Sequence, residues 1–148
     1  MDLYLKEPFS WGRSLPLLEP DGRTRYLVFG DAFRLGKRLY VRDLAQRDMF
    51  YARQIIPAVL PAFSLEVYGK PIGDLVRSRT EDSYRLESLS WTVTGTRRAG
   101  CAIRQGQRVI ADCAPDPEGL HLRILTPERD KAALGVLLTA YCMELFRS

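Results

Sequence analysis

AALGVLLTAYCMELF, residues 132–146, is apolar at twelve of its fifteen positions, the exceptions being Gly135, Thr139 and Glu144. A surface helix carries a polar stripe with a 3.6-residue period, and this stretch has none. A helix that is apolar all round lies in a protein core or in lipid. Length separates the two. Fifteen residues rise ~22 Å, whereas a bilayer core is about 30 Å thick and takes about 20 apolar residues to cross. The stretch is therefore expected to be a core helix over about residues 127–147. Thr126 is placed as its cap and Pro127 at its first position. Glu128 and Asp130 suit the positive end of the dipole, and Arg147 the negative end. Ala132, Ala133, Gly135 and Ala140 are small and let neighbouring strands approach. Tyr141, Cys142 and Met143 read as packing residues.

The chain before it has the short alternating runs of a β-protein. Arg38 to Asp43 puts Leu39 and Val41 on one face, Tyr40 and Arg42 on the other. Glu19-Pro20-Asp21-Gly22 is a turn, since Pro sets φ and Gly accepts φ > 0. Further runs are Leu3–Leu5, Leu15–Leu18, Thr24–Gly30, Met49–Ile56, Phe63–Val67, Ile72–Arg77, Tyr84–Leu86, Trp91–Thr94, Cys101–Arg104, Arg108–Ala111 and Leu120–Leu125. Pro57 and Pro61 bracket one loop, and Pro115 to Gly119 forms another. About a dozen short strands at this spacing indicate a sandwich or barrel. A closed antiparallel barrel leaves no exposed edge. Its interior has to be filled, and the C-terminal helix is the one all-apolar element that can fill it. The hairpins at Leu65–Leu75 and Ala102–Cys113 share a rhythm that hints at two related halves.

Length, at 148 residues, points to one domain over 1–148. Apolar and charged fractions of 46% and 27% are those of a globular chain and do not indicate disorder. A net charge of +4 with pI about 9.1 permits an anionic partner without requiring one. Cys101, Cys113 and Cys142 are odd in number and sparse. Met1–Ser10 carries Asp2, Lys6 and Glu7 rather than an apolar leader. A reducing cytoplasm with free thiols is the expectation.

Several stretches together resemble the LURP-one-related family. They are Leu3-Tyr4-Leu5-Lys6 with Phe9-Ser10, then Phe33 to Asp43, Trp91-Thr92-Val93-Thr94-Gly95, and Ala133 to Cys142. The resemblance covers nearly the whole chain in order. It implies the tubby C-terminal fold that phospholipid scramblases are thought to share: a twelve-stranded barrel around a hydrophobic helix. It also implies a ligand class, because tubby domains bind phosphoinositide headgroups through basic residues. In one respect the chain departs from its bacterial relatives, which often carry an acid late in the helix. Here Tyr141 stands at that place, with Glu144 three residues on.

The chemistry-bearing residues point to binding rather than catalysis. His121 is the only histidine; with no CxxC or HxxxH spacing, neither a metal site nor a cofactor is expected. There is no nucleophile elbow, phosphate loop or dinucleotide fingerprint. Basic residues group at Arg34, Lys37 and Arg38, at Arg77 and Arg79, and at Arg97 and Arg98. The first group is the candidate lipid-headgroup site, and the partner it suggests is an anionic phospholipid or membrane surface. Phe9 and Trp11 beside Arg13 read as loop packing. Nucleic acid is disfavoured because aromatics are not interleaved with the arginines. The alternatives are a protein-interaction scaffold and, further off, a carrier or enzyme using a barrel cavity, which the helix would occupy.

Overall fold

The computed structural model describes residues 1–33, 35–96 and 98–146. Twelve antiparallel strands close into one barrel, each paired with its sequence neighbours and β1 with β12. They are β1 (Asp2–Leu5), β2 (Leu15–Leu18), β3 (Thr24–Asp31), β4 (Arg38–Arg42), β5 (Asp48–Gln54) and β6 (Ala62–Val67). The second half comprises β7 (Lys70–Arg77), β8 (Tyr84–Leu86), β9 (Trp91–Thr96), β10 (Gly100–Gln105), β11 (Arg108–Asp116) and β12 (Gly119–Ile124). One α-helix follows, α1 (Asp130–Cys142). The seam is sealed by β1 on β12, from Asp2 opposite Arg123 to Leu5 opposite Leu120. The Met1 amine adds a bond to the Ile124 carbonyl at 2.8 Å.

Alternation decides which side chains enter the barrel. Leu3 and Leu5, Leu15 and Leu17, Val28, Leu39 and Val41, Phe50 and Ala52, and Leu65 and Leu75 all point inward and are buried. They meet α1, in which every residue from Ala132 to Ala140 is buried. At Gly135 a side chain has no room, because a Cβ there would overlap the Phe50 ring from β5. Thr139 is the polar residue of this buried run, and its Oγ1 donates to the Gly135 carbonyl at 2.8 Å.

The helix is shorter than the 127–147 expected, and Thr126 does not cap it. Its N-cap is Arg129, with no side-chain capping bond. Residues 125–129 must carry the chain from the barrel wall to its axis, so Pro127 and Glu128 are spent on the crossing. At the far end the helix stops in a Schellman turn. Leu145 N–H donates to the Ala140 carbonyl, and Glu144 N–H to that of Tyr141. Glu144 takes the left-handed φ of 51° that this turn requires. It lies past the helix and is exposed, while Leu145 and Phe146 fold back into the core. Arg147, expected at the helix's negative end, lies outside the described residues.

Pro115 belongs to β11, paired with Leu120, so the loop expected at Pro115–Gly119 is only the turn after Asp116. The hairpins β6–β7 and β10–β11 each carry a bulge at a like position, between Leu65 and Glu66 and between Ile103 and Arg104. Among the described residues no helix is long and apolar enough to cross a membrane.

Candidate functional site

The two ends of the barrel differ. At the base, strands join through short connections at 19–23, 43–47, 68–69, 87–90 and 106–107. Side chains tie these down. Asp43 accepts from the Ala45 and Arg47 backbone N–H groups at 2.9 and 3.0 Å and from the Tyr68 hydroxyl at 2.9 Å. The other end, the mouth, carries longer connections at 6–14, 32–37 and 55–61, together with 78–83. The C-terminal end of α1 plugs it, with Tyr141 and Phe146 beside Phe9 and Pro115. Long loops over a rigid barrel are where a binding site is expected.

Lys37 and Arg38 enter β4 at the mouth, and Arg38 points outward. Strand register adds a third cation, because Arg53 of β5 is directly opposite Arg38. The outward row across the sheet runs Asp31, Arg38, Arg53, Ser64 and Asp74. Lys37 is exposed, with Nζ 5.4 Å from the centre of the Trp11 ring. Trp11 is held by an edge-to-face contact with Phe9 at 5.1 Å, and both rings cover Gly30. A Cβ on Gly30 would lie 2.6 Å from Trp11 Cε3, so only glycine admits this packing. Phe9 and Trp11 are therefore loop packing, as expected. Arg13 is engaged elsewhere, with Glu7 at 2.7 Å.

Arg38 is the unusual member. Its Nε and Nη1 are buried and have no hydrogen-bond partner among the described residues. A buried donor left unpaired costs about 1–3 kcal/mol, more on a charged group. Native proteins seldom carry one without a reason. Arg34, the remaining member of the expected group, lies outside the described residues.

Beside this row a cleft of about 600 Å³ opens between the β5–β6 connection and the end of α1. Lys37 and Arg77 line it, but so do Asp82 and Glu144. Arg77 is paired with Asp82 at 3.2 Å. With the negative end of α1 also present, the cleft itself is a poor anion site. On the outward face Arg38 and Arg53 are adjacent, with Asp31 and Asp74 at the two ends of the row.

The other candidates disperse. Arg79 and Arg98 are exposed, and Arg97 lies outside the described residues. His121 stacks on Tyr4 at 4.6 Å, with Nε2 2.8 Å from Asp2 Oδ1. Cys101 and Cys113 face each other across β10 and β11 and are buried and reduced. The Cys101 thiol is hydrogen-bonded to Cys113, which pushes Cys101 up and draws Cys113 down. Burial pushes Cys142 well up. Among the described residues no three His, Cys, Asp or Glu side chains converge as metal ligands.

Register also does what linear order does not. Phe29, Tyr40 and Tyr51 form one outward row, between Arg38 and Arg53 on one side and Arg42 on the other. The aromatics and arginines are thus interleaved in space, although not in sequence. Arg53 was equally invisible to linear reading, being fifteen positions from Arg38. Comparison of the chain with protein-family models, with curated proteins and with solved structures returned no match.

Proposed function

We propose that this chain is a LURP-one-related, tubby-like protein: a non-enzymatic binding module that recognises anionic phospholipid headgroups at the cytoplasmic surface of a membrane. Lys37, Arg38 and Arg53 carry the recognition. The observation that supports it is Arg38 at the mouth of the barrel, a half-buried guanidinium whose Nε and Nη1 lack a partner among the described residues. Nε and Nη1 are shielded from solvent and do not share one edge of the guanidinium, so a phosphate takes up the Arg38 donors only once the side chain swings out from the wall. Each cation near an anionic bilayer contributes ~1 kcal/mol. Three contribute ~3 kcal/mol, about a hundredfold in partitioning.

The test is co-sedimentation with neutral vesicles and with vesicles carrying phosphatidylserine or phosphoinositides, at low and physiological salt. Binding confined to anionic vesicles is expected, falling about thirtyfold in Lys37→Ala/Arg53→Ala and about fivefold in Arg38→Ala. Equal binding to neutral vesicles, or binding unchanged in these variants, overturns the reading. Binding to no vesicle shifts the weight to a protein partner, sought next by pull-down.

A second reading rests on the Phe29–Tyr40–Tyr51 row, on which single-stranded bases could stack between flanking cations. The rings pack against one another, Tyr40 on Tyr51 at 4.9 Å, and Arg42 is engaged by Asp48 at 3.2 Å. Both facts favour the lipid reading. A labelled oligonucleotide bound by the wild-type protein would favour the other.

A further inference from the structure

The β5–β6 connection reads Ile-Ile-Pro-Ala-Val-Leu-Pro over 55–61 and contains no polar side chain. It is not core. Val59 is 95% exposed and Ile56 47%. The β3–β4 connection adds Phe33 at 88% and Leu35 at 84%. The two connections adjoin at their roots. Gln54 N–H donates to the Lys37 carbonyl at 2.9 Å, and Lys37 N–H to Gln54 Oε1 at 3.1 Å. A Cβ on Gly36 would lie 3.6 Å from Ile56 Cδ1. Four large apolar side chains held in water on neighbouring loops mark an interaction surface.

Charge identifies the occupant. Lys37, Arg38 and Arg53 stand at the strand ends directly behind these tips. Leu35 is three residues from Arg38, and Ile56 three from Arg53. Three residues span at most ~10 Å. Apolar groups that dock on a bilayer sit ~5–10 Å into the boundary between headgroups and acyl chains. A second copy of the chain docking through the same patch would bring its own Lys37, Arg38 and Arg53 towards these, like charge against like. An anionic bilayer meets the tips with hydrocarbon and the cations with phosphate.

We propose that Phe33, Leu35, Ile56 and Val59 enter the hydrocarbon edge of an anionic bilayer while Lys37, Arg38 and Arg53 lie at its phosphates. This rests on the headgroup reading above and makes the ligand a membrane surface rather than a free headgroup. Attachment through both parts survives salt that screens the cations alone.

The test uses Val59→Cys carrying an environment-sensitive fluorophore. The native thiols are buried, so the label goes to residue 59. A Gln107→Cys label at the base is the control. On phosphatidylserine vesicles the label at 59 should shift to the blue and be quenched by lipids brominated on their acyl chains, with no change at 107. Leu35→Asp/Val59→Asp should bind at least tenfold more weakly, with melting unchanged because both side chains are exposed. An unshifted label at 59 on vesicles that the protein does bind overturns the insertion and leaves the headgroup reading standing. Failure of the wild-type protein to bind anionic vesicles overturns both. Self-association abolished by Val59→Asp, without vesicle binding, assigns the tips to a second copy and overturns the proposal.

Discussion

Gly135→Ala should destabilise this protein, although helix propensity taken alone predicts the reverse. Alanine is favoured over glycine inside a helix by about 1 kcal/mol. Gly135 lies in α1 with Phe50 of β5 pressed against its Cα, and a methyl group there would overlap that ring. Phe50 is fully buried and cannot swing outward. Overpacking a filled core costs about 1–3 kcal/mol, and the depth of this overlap puts the cost at the upper end. Set against the propensity gain, the net loss is about 2 kcal/mol, or roughly 4–8 °C in Tm for a domain of this size. Urea denaturation followed by circular dichroism measures it directly. Phe50→Leu should lose stability alone and regain part of it when combined with Gly135→Ala. The expected interaction energy is at least about 1 kcal/mol, as for residues in contact. A Gly135→Ala protein that melts higher than wild type, with no coupling to position 50, would refute the helix's placement inside the barrel.

Leu138→Asp removes a fully buried side chain and places a carboxylate where no partner exists, so it should cost at least about 3–5 kcal/mol and yield an insoluble or unfolded chain. Asp43 titrates below the usual carboxylate range, because backbone N–H donation from Arg47, then the Tyr68 hydroxyl and the Arg47 charge, favour its ionised form. A depressed pKa contributes stability that is present above the ordinary value and lost as pH falls through the folded one. Melting temperature should therefore decline on acidification below about pH 4, and Asp43→Asn should melt lower at neutral pH with a shallower acid decline. Cys101, Cys113 and Cys142 should react with a thiol reagent only after unfolding, since burial pushes Cys142 up and the Cys101 thiol is held by Cys113. Rapid native labelling at any of the three would contradict their place in the core.

The central helix was legible because an apolar run without a polar stripe has one soluble solution, a core. The alternation of Leu39 and Val41 against Tyr40 and Arg42 was equally plain, and burial follows it. The turn at Gly22 was readable from local chemistry; its N–H donates to the Glu19 carbonyl at 2.9 Å. The helix start was not. Thr126-Pro127 is a sound capping signal in isolation, but the chain needs those residues to cross from wall to axis, and propensity carries no information about that distance. The site was half legible. Lys37 and Arg38 are neighbours in sequence, whereas Arg53 joins them only through strand register. The same holds for the Phe29–Tyr40–Tyr51 row. The apolar tip could have been found earlier. Ile55 to Pro61 is wholly apolar, yet two prolines bar it from a central strand, and an apolar stretch that cannot be a strand is a candidate exposed loop.

The most direct measurement is amide hydrogen exchange on the wild-type protein, with and without vesicles containing phosphatidylserine or phosphoinositides. Binding through the mouth predicts added protection in 32–38 and 54–62, with the base connections at 43–47, 68–69 and 106–107 unchanged. Protection centred on the base, or none in the mouth loops at vesicle concentrations that bind the protein, would contradict the account.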